Sequence, residues 1–202
     1  QPAGAWKIIS PRRKDHQYDV DHAGDLFYIR TNDKGRNFRL VTTPVTNLQA
    51  WTEIIPQRDD VVLDDVTLFE KFYVLTERED GLTRLRVVET ATGQSRKLDF
   101  PDPSYAIGGE ANAVFATNVF RHSFESLRTP NSIYDYDMAT GQSVLLKQQP
   151  VKNYDPAQYQ VERFFATASD GTRIPISLVA RKGTKPGPRS EEHTSELQSP
   201  YV

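Results

Sequence analysis

The sequence predicts an all-β chain: a partial β-propeller of about three four-stranded blades, followed by one β-hairpin. Three observations carry this. Runs rich in aromatic and β-branched residues recur between turn residues along most of the 202-residue chain. Aligning Phe27, Phe72 and Phe115 gives spacings of 45 and 43 residues, and the tetrapeptide Ala-Thr-Gly-Gln occurs at Ala91 and again 48 residues later at Ala139. Periods of about 40 to 50 residues, each holding about four short strands, mark propeller blades. The repeat then stops, and residues 161–181 read as two strands about an Asp170-Gly171 turn, because Asp and Gly tolerate the positive φ angles of a tight turn between twisted strands.

Taken in order, residues 6–9 read as the tail of an earlier blade and residues 18–21 as the first strand of the next. The first copy, about 15–57, continues with strands at 25–30, 38–43 and 51–55 and a turn at 32–35. The second, 61–100, has strands at 66–69, 71–76, 82–89 and 95–98, with turns at 79–81 and 91–93. The third, 104–148, has strands at 113–120, 132–137 and 143–146 and a turn at 139–141. Residues 151–160 hold no strand or helix period and read as an extended linker. Pro175 lacks an N–H for a β-ladder, so the strand at 174–179 is expected at a sheet edge. A β-sandwich also has many short strands, but the repeat spacing favours blades. A blade buries its faces only against neighbours, so three blades leave an apolar face at each end of the stack and predict poor solubility in isolation.

Composition narrows function. With a net charge of -2 and no long basic run, the chain has no general attraction for nucleic acid or anionic lipid, and neither partner is expected. The absence of Cys excludes disulfides and thiolate metal sites. No apolar run approaches the roughly 20 residues needed to cross a bilayer as a helix. A cytoplasmic location is favoured over a periplasmic one, and no cofactor is expected.

Each candidate site has a plain structural reading beside the functional one. His16, His22 and His122 do not fall at zinc-ligand spacings and His193 lies in the tail, so no metal site is expected. Asp59-Asp60 and Asp64-Asp65 read first as solvated turns, and second as a site for a cation or basic peptide near the propeller channel. Residues 135–141 fail as a calcium loop, with Ala139 where an oxygen ligand is required and Leu146 where the bidentate Glu belongs. Phe72-Tyr73 and Phe164-Phe165 read as packing between blades or domains. Gly93-Gln94-Ser95 and Gly141-Gln142-Ser143 each lack the last Gly of the Gly-x-Ser-x-Gly elbow that exposes a hydrolase nucleophile.

Several ordered segments carry a family resemblance. Residues 120–130 (Phe-Arg-His-Ser-Phe-Glu-Ser-Leu-Arg-Thr-Pro), 134–141, 145–150 and 161–183 together resemble the propeller-to-catalytic-domain junction of the prolyl oligopeptidase family, in its oligopeptidase B branch. The resemblance runs from about Asp15 to Gly183. It implies a seven-bladed propeller capping an α/β-hydrolase domain with a Ser, Asp, His triad and no metal. It also implies serine-type cleavage of short peptides after Arg or Lys, with the propeller restricting access. On this resemblance residues 161–188 open the catalytic domain and the triad lies beyond residue 202, so no catalytic residue is assigned here and the segment alone is expected to be inactive. Residues 189–202 resemble one reading frame of a sequencing adapter and are expected to be non-native. The alternative is a stand-alone propeller acting as a binding platform, for which the hairpin would have no purpose.

Overall fold

The computed structural model describes residues 7–185, and these residues form three four-stranded antiparallel sheets and one two-stranded sheet. The first blade comprises β1 (Tyr18–Ala23), β2 (Leu26–Thr31), β3 (Arg39–Pro44) and β4 (Thr52–Ile55). The second comprises β5 (Val61–Leu68), β6 (Phe72–Glu79), β7 (Leu82–Glu89) and β8 (Ser95–Lys97). The third comprises β9 (Tyr105–Gly109), β10 (Val119–Ser126), β11 (Ser132–Asp137) and β12 (Ser143–Gln148). Within each blade, consecutive strands are neighbours. Two longer strands, β13 (Tyr159–Thr167) and β14 (Arg173–Arg181), pair only with each other among the described residues.

The side-chain alternation of the middle blade explains why the sheets stack. On β6, Phe72 and Val74 pack with Phe120, Tyr136 and Met138 of the third blade. Tyr73 and Leu75 point the other way and pack with Tyr28 and Leu40 of the first. Leu85 and Val87 of β7 join the first of these clusters and Val88 the second. Successive side chains leave opposite faces of a strand, so one run of consecutive apolar residues feeds two cores. Two separate clusters, one on each face of the middle sheet, make a stack of blades and not the single core of a sandwich. The first strands lie nearest the neighbouring blades, β5 meeting β1 and β2, and β9 meeting β7. The fourth strands form the opposite, outer edge.

The duplicated Ala-Thr-Gly-Gln builds the same turn twice. Glu89 and Gln94 close the first through a backbone bond of 2.9 Å, and Asp137 and Gln142 close the second at 2.8 Å. Gly93 and Gly141 take positive φ of 71° and 81°. At Asp80-Gly81 both residues have positive φ, 53° and 73°, which is the tight two-residue hairpin turn with Glu79 facing Leu82.

Several sequence expectations need correction. Asp170-Gly171 does not make such a tight turn: only Gly171 has positive φ, and the loop closes as a wider turn between Ala168 and Thr172 at 2.9 Å. Residues 113–118 are loop, and the third blade instead begins with β9. The counterpart of Phe27 and Phe72 is therefore Phe120, buried in β10, and not the exposed Phe115. Its distance from Phe72, 48 residues, equals that between the two Ala-Thr-Gly-Gln turns. Lys7–Ile9 form no strand, and Trp6 lies outside the described residues. In the expected linker, Asp155 caps a 3-10 turn at Pro156–Gln158 and β13 already starts at Tyr159. Pro175 lies in β14, whose far edge is unpaired among the described residues. His193 and the tail from 189 lie outside the described residues.

Candidate functional site

The inner edge of the first two blades gathers carboxylates. The Tyr-Asp-Val-Asp alternation of β1 places Asp19 and Asp21 on one face, opposite Arg30 and Tyr28 in the β1–β2 pairing. Tyr28 faces the second blade, so these two aspartates open toward the seam between the blades. From the other side β5 supplies Asp65 just after a bulge between Leu63 and Asp65. Asp19, Asp21 and Asp65 are all solvent-exposed. Partial desolvation at this crowded edge, reinforced by the neighbouring charges of Asp65 and Asp19, raises the Asp21 carboxyl above its ordinary value.

One cation answers this group. Arg30 donates through Nε to the Asp64 carbonyl at 3.0 Å, lies 3.5 Å from Asp19 and packs 3.8 Å over the Phe38 ring. It ties the first blade to the second while leaving Asp21 and Asp65 without a cationic partner among the described residues. Asp64 takes the guanidinium of Arg78 in a two-pronged bond at 2.6 and 3.1 Å. Asp64-Asp65 is thus not a loop pair but a strand position at a bulge, where one carboxylate is structural and the next is open. Asp59-Asp60 does lie in a loop: Asp60 is bound to Arg58 at 2.6 Å and Asp59 accepts from Gln57 at 3.0 Å.

The other candidates are dispersed. His16 contacts Thr31 at 2.9 Å, His22 is exposed against Phe27, and His122 is buried among Phe100, Phe120 and Tyr134. Asp135 is occupied by Arg121 at 2.7 Å, and Asp137 accepts the N–H groups of Ala139 and Thr140, which makes it a turn cap. Ser95 and Ser143 start the outermost strands β8 and β12. Phe72 and Tyr73 pack between blades as expected, whereas Phe164 is 46% exposed and Phe165 lies under Arg173 at 4.1 Å.

A polar junction holds the hairpin against the blades. Asp102 is 2% exposed and accepts from Ser126 Oγ at 2.6 Å, Arg128 Nε at 2.7 Å and Thr129 Oγ1 at 3.1 Å. Arg128 also donates to the Tyr159 carbonyl at 3.4 Å, and its own carbonyl receives the Tyr154 hydroxyl at 2.6 Å. Ser104 and Ser177 share a hydrogen bond of 2.6 Å, and Arg163 donates to the Asp80 carbonyl at the tight turn. Sequence reading missed this junction because its partners are far apart along the chain.

Residues 1–149 match the prolyl oligopeptidase N-terminal beta-propeller domain. The chain belongs to the prolyl oligopeptidase family. It is 40% identical over 183 residues to dipeptidyl aminopeptidase BI of Pseudoxanthomonas mexicana, an alignment covering 89% of this chain and 25% of that protein. It is 27% identical over 183 residues to protease 2 of Moraxella lacunata, covering 90% of this chain and 26% of that one. Among solved structures it resembles oligopeptidase B from Trypanosoma brucei with covalently bound antipain in its closed form. There the TM-score is 0.78 at 32% identity, over 88% of this chain and 27% of that one. The chain thus spans about a quarter of the length of these prolyl oligopeptidase relatives.

Proposed function

We propose that this chain is the part of a serine peptidase that filters short peptides on their way to a catalytic centre encoded elsewhere in a longer polypeptide, and that the peptides favoured are basic. Family membership supports the peptidase class. The observation that carries the filter is the set of Asp19, Asp21 and Asp65, exposed on the innermost strands at one interblade seam, with Arg30 the one cation paired to them among the described residues. Clustered carboxylates raise the local concentration of cationic peptides. The residues that cut the peptide, including the Ser, Asp and His of the triad, belong to the remainder of the polypeptide, so this segment alone has no hydrolytic activity.

The test is replacement of Asp19, Asp21 and Asp65 by Asn in the full-length enzyme carrying this segment. For an arginyl peptide kcat/KM is expected to fall about 3- to 10-fold at low ionic strength, with no change for a neutral peptide. The gap should close at about 1 M salt, where the screening length is about 3 Å. Equal losses on both peptides would overturn the reading. The raised Asp21 pKa adds a sign: the folded state holds this proton more tightly than the unfolded one, so the carboxylate opposes folding once pH passes the unfolded value of 3.8. Asp21→Asn should therefore leave Tm at pH 7 unchanged or higher.

A further inference from the structure

A cleft of about 370 Å³ lies between the second and third blades near their outer strands, remote in the fold from the inner carboxylates. Its walls are apolar and aromatic, with Phe100, Phe124 and Tyr134 prominent. Two largely buried polar side chains line it. His122 is 3% exposed; its Nδ1 lies 3.3 Å from the Ser123 carbonyl, and its Nε2 makes no hydrogen bond among the described residues. Tyr136 is 5% exposed, and its hydroxyl likewise has no partner among those residues. Neither atom is among the fully buried unpartnered ones, so each keeps contact with the solvent of the cleft and is open to a complementary occupant.

The rim supplies opposite charges. Arg96 is fixed by donating Nη2 to the Met138 carbonyl at 2.9 Å, with its guanidinium 5.8 Å from the centre of the Tyr136 ring. It lies so close to Gly141 that a Cβ there would come within 2.9 Å of Nη1. At Gly93, in the matching turn of the second blade, nothing lies within 4 Å, so this close approach is particular to the cleft. Lys97 is engaged by Glu79 at 2.8 Å, whereas Asp99 at the same rim is exposed. One anchored cation and one open carboxylate above an aromatic floor match a zwitterion with an aromatic body, and the volume suits a molecule of that size.

We propose that this interblade cleft binds a free aromatic amino acid. Its carboxylate meets Arg96, its ammonium meets Asp99, its ring lies among Phe100, Tyr134 and Tyr136, and its ring hydroxyl or indole N–H donates to His122 Nε2. Burial pushes the His122 imidazole below its ordinary pKa, which keeps that nitrogen free to accept at neutral pH. The site shares no residue with the inner wall, so its occupancy and peptide filtering can be measured separately.

Calorimetric titration of the full-length enzyme carrying this segment with L-tryptophan tests the assignment, with L-tryptophanamide lacking the carboxylate and indole-3-propionate lacking the ammonium. Saturable binding with a Kd of about 0.01 to 1 mM is expected, with each analogue about tenfold weaker. Arg96→Gln, at an exposed position, should weaken L-tryptophan about tenfold with no change in Tm. The assignment is overturned if L-tryptophan does not saturate by about 10 mM, if both analogues bind as tightly as it does, or if Arg96→Gln binds it as tightly as the unaltered chain.

Discussion

The middle blade and the hairpin are both antiparallel β-structure, yet they are held in place differently. The middle blade buries both faces: Val74 and Leu75, adjacent on β6, are each 0% exposed and belong to different cores. The hairpin has strands of nine residues, but Phe164, Ile174, Leu178 and Val179 are exposed. Among the described residues three hydrogen bonds tie it to the blades: Arg128 to Tyr159, Ser104 to Ser177 and Arg163 to Asp80. Apolar burial is non-directional and adds with area, whereas a hydrogen bond exchanged with water contributes only about 1 kcal/mol net. The blades are therefore joined by area, and the hairpin by a small set of replaceable bonds.

Substitutions sharpen this contrast. The largest effect is expected at the two interblade cores: Leu75→Ala between the first and second blades, and Phe120→Ala between the second and third, should each cost about 3 to 4 kcal/mol in denaturant unfolding. A buried polar clamp within the first blade is the intermediate case. Arg39 grips Asp33 through two bonds at 2.7 and 2.8 Å and also reaches Glu53 at 2.8 Å. Asp33→Asn should cost about 2 kcal/mol at pH 7. The hydrogen bonds from Arg39 hold the Asp33 carboxyl below its ordinary value of 3.8. Its stabilisation is therefore present above that value and lost as pH falls through the lower, folded one, and urea midpoints measured down the acid range should show the variant losing less than the unaltered chain. Smallest of all, Phe164→Ala on the hairpin should change unfolding free energy by less than about 0.5 kcal/mol. A cost there comparable to that of Leu75→Ala would break the comparison.

The sequence made the blade plan legible where chemistry is local. Gly93, Gly141 and Asp80-Gly81 sit at positive φ, and a turn that needs such angles restricts residue choice enough to leave a repeat. It failed where tertiary structure overrides propensity. Val114 and Phe115 favour a strand, but both are exposed in a loop, and Asn112 in the same loop pairs with the backbone N–H and carbonyl of Arg121 through its side chain at 2.8 and 3.0 Å. The true first strand, β9, ends in Gly108-Gly109, poor strand formers that are ordered by pairing with β10. The inner carboxylates were hidden for another reason: residues 18–21 read only as a first strand, and no local pattern says that Asp19 and Asp21 face the seam with the second blade. Asp65 was seen in the sequence as half of an acidic pair, but only the bulge separates its role from that of Asp64.

Native-state hydrogen exchange tests the central claim most directly, because it reads the opening free energy of each strand separately. Amides of β6 and β7 should exchange only with global unfolding, while those pairing β13 with β14 should exchange at least about 100-fold faster through local release of the hairpin. Equal protection in the two regions would contradict the account, showing that the hairpin and the blades are one cooperative unit.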